Sequence, residues 1–143
     1  MINFKPILLI LSFLIPFHGF EGENLDVLSI NNIKEIKIIY VNWQIVTSHS
    51  VSCERFEHAF QKSLKEKNII NKSSIDSLKD FVITTKQKNK YLKSVDTRFK
   101  MIIFKDNNEN NDTVCGNTQG IHIKGKNYLI SNEFSDYIKE LLE

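Results

Sequence analysis

The sequence predicts an α+β domain: a small antiparallel or mixed sheet of about four strands with two or three helices, in the order β-α-(α)-β-β-(β)-α. Three observations lead there. Residues 33–47, IKEIKIIYVNWQIVT, alternate through a run rich in β-branched and aromatic side chains, which is the period of a strand. Two other stretches space their apolar residues as a helix does, one through Phe56, Phe60 and Leu64 and one through Phe134, Tyr137, Ile138 and Leu141. Residues 97–105, TRFKMIIFK, read as a strand and run straight into the polar connection DNNENND at 106–112, the kind of segment that joins hairpin strands.

The N-terminus is read separately from this domain. Lys5 precedes an apolar run, PILLILSFLIPF, and the polar EGENLD follows at once. That order of charge, apolar core and polar flank is a secretory signal peptide. The run has about 12 apolar residues and contains Pro16, short of the roughly 20 that a membrane-spanning helix needs. We therefore expect residues 1–22 to be a signal peptide and residues 23–143 a single small domain, exported to a periplasm or to the cell exterior with no permanent membrane span. About 120 residues suffice for one hydrophobic core and are too few for two ordinary domains.

Within the domain, 33–47 is expected as a long central strand, with Ile39, Val41, Trp43 and Ile45 on one face and Ile36, Ile38 and Tyr40 on the other. Ser50 or Ser52 offers a cap for a helix over about 53–67, with Cys53 facing inward beside Phe56 and Phe60. Ser73 and Ser74 begin a second helix to about Ile83, with Asp76 three residues after Ser73 in a weak capping-box match. Residues 84–94 are expected as a polar, Lys-rich connection. After the strand at 97–105, TVCG and GIHIKGKNYLI read as return strands with a tight turn near Lys124 and Gly125. Ser131 or Asn132 caps a last helix carrying Phe134, Tyr137, Ile138, Leu141 and Leu142 on one stripe.

Charge is spread unevenly. The whole chain has 19 Lys and Arg against 17 Asp and Glu, which is no nucleic-acid footprint. Residues 62–105 nevertheless hold 12 basic against 4 acidic side chains. The densest stretch, KQKNKYLK at 86–93, places Lys86, Lys88, Lys90 and Lys93 around Tyr91. It is a candidate patch for an anionic lipid, an envelope polymer or an acidic partner, against the plainer reading of a solvated loop.

Cys53 and Cys115 both fall in the exported part, where an oxidising compartment permits a disulfide. Closing a loop of about 60 residues stabilises by about 4 kcal/mol on the chain-entropy account. His49, Cys53, His58, Cys115 and His122 carry zinc-type donors, but the spacing is wrong for a shared ion. On a helix, positions 53 and 58 differ by about 140° around the axis. A cysteine nucleophile would need an exposed thiolate with an oriented base; Cys53 faces inward, and His122 alternates with Ile121 and Ile123 so as to face away from them.

Asp76 and Asp80 share one helix face toward water and form no glycosidase pair. Asp96 and Arg98 fit a same-face ion pair. Phosphate-cradling glycine motifs do not occur. No catalytic residue, metal ligand or cofactor site is assigned. Asn71 in NKS and Asn111 in NDT fit the N-glycosylation pattern. Residues 44–48, QIVTS, are similar to the QxVxG loop of cystatin-type inhibitors at Gln44 and Val46. Ser48 stands in place of the glycine, and that family puts its helix before the strand, so the chain is not assigned to it.

The function expected by elimination is a non-enzymatic binding or interaction protein of the cell envelope, of inhibitor or immunity type, with Trp43 as its candidate interface anchor. The alternatives are a small envelope hydrolase whose site is assembled from distant residues, and binding of an anionic lipid or polymer through the lysine stretch.

Overall fold

The computed structural model describes residues 32–106 and 111–143; the expected signal peptide, 1–22, and the centre of the 106–112 connection lie outside the described residues. The fold is α+β. One six-stranded antiparallel sheet is built from β1 (Ile33–Tyr40), β2 (Lys65–Ile69), β3 (Phe99–Lys105), β4 (Asp112–Gly116), β5 (Gly120–Ile123) and β6 (Lys126–Leu129). The strands lie side by side in the order β2-β1-β3-β4-β5-β6. Three helices accompany them: α1 (Phe56–Ala59), α2 (Lys72–Lys88) and α3 (Asn132–Leu142).

Strand alternation gives the sheet two different faces. Ile38, Met101, Val114 and Ile123 lie opposite one another across β1, β3, β4 and β5, and all four are buried. This apolar row meets Ile75, Leu78 and Val82 of α2 and Phe134, Ile138 and Leu142 of α3 in the main core. Phe81 of α2 stacks on Phe134 of α3 with ring centroids 5.0 Å apart, so the two helices also pack on each other. Burying a side chain of the size of Phe134 or Leu78 contributes roughly 2–3 kcal/mol each. On the opposite face the equivalent row reads Ile39, Lys100, Cys115, His122 and Asn127. It is apolar only at its β1 end, where Ile39, Val41, Phe56 and Phe60 make a second, smaller core.

The observed sheet is larger than the expected four strands because GIHIKGKNYLI forms two strands, β5 and β6, and β2 forms where the first helix was expected to end. The helix expected over 53–67 is one turn, Phe56–Ala59, with no side-chain cap. Phe56 and Phe60 keep their inward spacing, but the disulfide from Cys53 to Cys115 on β4 ties the start of this segment to the sheet face. The chain then returns as β2, whose sequence KEKNI buries only Ile69. An edge strand needs little apolar surface, so periodicity had nothing to detect. Its charged side chains contact neighbouring elements: Lys67 Nζ donates to the carbonyl of Leu141 at the end of α3, at 2.5 Å, and Glu66 pairs with Lys37 of β1 at 2.8 Å.

The first strand ends at Tyr40, although Val41 N still donates to Arg98 O at 3.0 Å. The side chain of Asn42 accepts from Gln44 N at 2.9 Å and its carbonyl accepts from Ile45 N at 3.1 Å, a local turn that competes with the ladder.

Helix α2 runs through Lys88, past the expected end near Ile83, so the β-branched FVITT is helical. Its buried positions, Ile75, Leu78, Val82 and Thr85, meet the sheet, and that packing outweighs the strand propensity of the run. The cap is Asn71, which accepts from Ser73 N and Ser74 N, in place of the serines expected. Asn89, at φ 52°, closes the other end. Ser131 caps α3 as one of the two expected candidates, accepting from Phe134 N at 3.2 Å. The β5–β6 turn centres on Lys124 and Gly125, both at positive φ, the geometry of a two-residue hairpin loop that follows the twist of its strands.

Candidate interaction site

Residues 42–55 leave the sheet after β1 and cross its second face before α1. Their apolar side chains alternate between anchoring and display. Trp43 is half-buried, with its ring edge-on to Phe99 at 6.3 Å, so the expected interface anchor is largely committed to the main core. Ile45 and Val51 pack on the second core with Leu64. Val46 points the other way and is 91% exposed.

Three separate ties hold this loop. Arg98 Nη2 donates to Thr47 Oγ1 at 3.1 Å and to Asp96 Oδ2 at 2.6 Å. The other carboxylate oxygen of Asp96 accepts from Val51 N at 2.8 Å, and Thr97 N donates to Val51 O at 2.8 Å. The guanidinium also lies 5.2 Å over the Phe60 ring. The Asp96 and Arg98 pair is therefore more than an exposed surface contact: the Arg98 side chain is only 11% exposed, and the pair connects the loop to the start of β3. The Cys53–Cys115 disulfide is the third tie, joining positions 62 residues apart in sequence at a Cα separation of 5.6 Å.

Between the loop and α1 lies an open cleft of about 480 Å³ lined by Thr47, Ser48, His49, Ser50, Val51, Arg55 and Ala59. Ser48 Oγ is 2.9 Å from His49 Nδ1 at its exposed rim. Next to the disulfide, Glu54 has its carboxyl held below the usual range, first by its own backbone amide and the Ser52 hydroxyl, then by the charges of His122 and Lys100. His122 is half-buried and bonded through Nδ1 to Asn127 Oδ1 at 2.7 Å. Lys100 pairs with Glu57 of α1 at 2.6 Å.

Both thiols are consumed by the disulfide, so neither is available as a nucleophile or a metal ligand. Among the described residues, no group of three or more His, Cys, Asp or Glu side chains is placed to hold a metal ion. Asp76 and Asp80 are exposed. Asn71 is also exposed, with its side-chain oxygen engaged as the α2 cap. The lysine stretch is part helix and part connection. Lys86 and Lys88 belong to the last turn of α2, and Lys90 and Lys93 lie on the extended segment that follows, which runs along the outer edge of β6. Val46 is not among the candidate site residues read from the sequence, where it is only one of two matches to a QxVxG pattern; it stands between the inward Ile45 and the anchored Thr47.

Among the described residues, no helix is long and apolar enough to cross a membrane. The disulfide is compatible with an oxidising, exported location. No protein-family model matches the chain, and no curated protein or solved structure is detectably similar to it.

Proposed function

We propose that the chain is an exported, non-enzymatic interaction protein that presents residues 42–55 to a protein partner in the cell envelope. The carrying observation is Val46: a β-branched side chain 91% exposed on a segment otherwise tied down by a disulfide, an ion pair and backbone hydrogen bonds. A loop ordered before binding loses little conformational entropy on association, which is how small rigid binders reach useful affinity. Ser48, His49 and Ser50 around Val46 supply polar rim groups, and the adjoining cleft offers a recess for a partner side chain.

The test is capture from envelope extract by the purified chain at low and high salt, run beside Val46→Asp. A protein retained through high salt by the wild type and lost with Val46→Asp supports the reading. Equal retention by both, or none by either, overturns it.

A second reading, a small envelope hydrolase, rests on the Ser48 and His49 contact at the cleft rim. A serine beside an imidazole is the start of a nucleophile–base pair. Ester or amide turnover abolished by Ser48→Ala would favour it; turnover unchanged in that variant would remove it.

A further inference from the structure

The fold brings together two basic stretches that the sequence keeps about 35 residues apart. Residues 90–92 run antiparallel to β6: Leu129 N donates to Lys90 O at 2.8 Å, Leu92 N donates to Asn127 O at 3.0 Å, and Tyr91 bridges to Tyr128. Asn127 Nδ2 adds a bond to Lys93 O at 3.2 Å. The segment after α2 thus covers the β6 edge of the sheet, and it lays KQKNKYLK, residues 86–93, beside KGKNYL, residues 124–129. Neither stretch contains an Asp or Glu. Lys88, Lys90, Lys93, Lys124 and Lys126 are all exposed. Glu133 at the start of α3 is close enough to Lys88 for that charge to contribute to holding its carboxyl low, so Lys88 is partly offset and the other four carry the surface.

Two apolar groups flank these charges on opposite faces of the sheet, Tyr91 beside Tyr128 and Leu129 on the other side of β6. Tyr91 is 54% exposed while its ring packs 5.3 Å from the buried Tyr128, and Leu129 is 40% exposed. Tyr91 OH donates to Asn89 at the α2 cap, which fixes the ring in place.

We infer that this edge is a docking surface for an anionic lipid bilayer, distinct from the 42–55 loop. Charge complementarity carries the assignment: a set of ammonium groups on one rigid edge matches a surface of phosphate headgroups, with each lysine near such a surface adding a similar increment of attraction. The exposed tyrosine and leucine favour a bilayer over a soluble polyanion. An amphipathic ring seats at the headgroup level and a leucine gains from contact with acyl chains, whereas a polymer in water offers neither.

The test is co-sedimentation of the full chain with vesicles of pure phosphatidylglycerol or pure phosphatidylcholine at low and high salt. The comparison is among wild type, Lys90→Gln/Lys93→Gln/Lys126→Gln, and a control that removes the same charge elsewhere, Lys34→Gln/Lys62→Gln/Lys72→Gln. The apolar N-terminal run is the same in all three. We expect preference for phosphatidylglycerol, loss of that preference at high salt, a fall of about 100-fold in the edge variant and no change in the control. Leu129→Ser is expected to lower phosphatidylglycerol binding about tenfold. Equal losses in the two triple variants reduce the effect to net charge and overturn the inference. So does unaltered binding in the edge variant or in Leu129→Ser, or retention on soluble polyphosphate without retention on vesicles.

Discussion

Removing the Cys53–Cys115 bond tests how the second face of the sheet is held. The bond spans 62 residues, and the chain-entropy relation for a loop of that length gives about 4 kcal/mol of stabilisation at 25 °C. Unfolding entropy is about 2.1 cal/mol/K per residue near the midpoint, so over a domain of roughly 110 residues a loss of about 4 kcal/mol lowers Tm by about 15–20 °C. The perturbation is the double variant Cys53→Ala/Cys115→Ala, compared with wild type reduced by dithiothreitol. Circular dichroism at increasing temperature reads the global midpoint, and Trp43 fluorescence reads the 42–55 segment through its contact with Phe99. The two routes of bond removal should agree, since Cys115 is buried and the alanines leave only a small void beside it. A midpoint that moves by less than about 5 °C would refute this loop-closure account. So would alkylation of the denatured, unreduced protein that adds two labels to the intact mass, since the bond would then be missing from the native chain.

Three further outcomes follow from particular contacts. Asp96→Ala removes the acceptor for Val51 N and the partner of the largely buried Arg98, and should destabilise by about 1–3 kcal/mol in urea unfolding; an unchanged midpoint would show that water replaces both contacts. Gly116→Ala places a methyl 2.7 Å from the Phe99 ring and 2.8 Å from the Gly120 carbonyl, so overpacking should cost about 1–3 kcal/mol, and a loss under about 0.5 kcal/mol would mean that the β4–β5 connection yields freely. The carboxyls of Glu54 and Glu133 are both held low, each chiefly by its own backbone amide and a neighbouring serine. Their stabilising contribution is complete above the ordinary glutamate value of about 4.3 and disappears as pH falls through the lower folded-state values. The urea midpoint should therefore drop more steeply below about pH 4 in the wild type than in Glu54→Gln/Glu133→Gln, and parallel profiles would count against it.

How much was legible depended on whether an element's role required a repeating apolar pattern. The stripe of α3 and the alternation of β3 were readable residue by residue; that of β1 was readable through Val41, beyond which the ladder stops and Trp43 packs on the main core instead of continuing on the face of Ile39. The two cysteines were readable as a pair because a chain with only two offers a single intramolecular pairing. In contrast, β2 is an edge strand with one buried residue and carries no pattern. The FVITT run of α2 has the composition of a strand and becomes a helix because its spacing also suits the face that meets the sheet. Among the candidate sites, Trp43 was singled out for its size. The structure commits much of that ring to Phe99 and exposes the smaller Val46 instead.

The sequence by itself therefore determined the class of fold, much of the main core and the charge and redox chemistry available: lysines in excess at the centre and two cysteines. Those follow from composition and local period, which are properties of neighbours along the chain. Only the tertiary structure decided that the sheet has six strands, that Asp96 and Arg98 hold a loop from β1, and that Lys90 and Lys93 share an edge with Lys124 and Lys126. Each of these depends on which strand lies beside which. Strand order and register are set by burying the helix-covered face and the smaller second core at once, and no local window of sequence contains that condition.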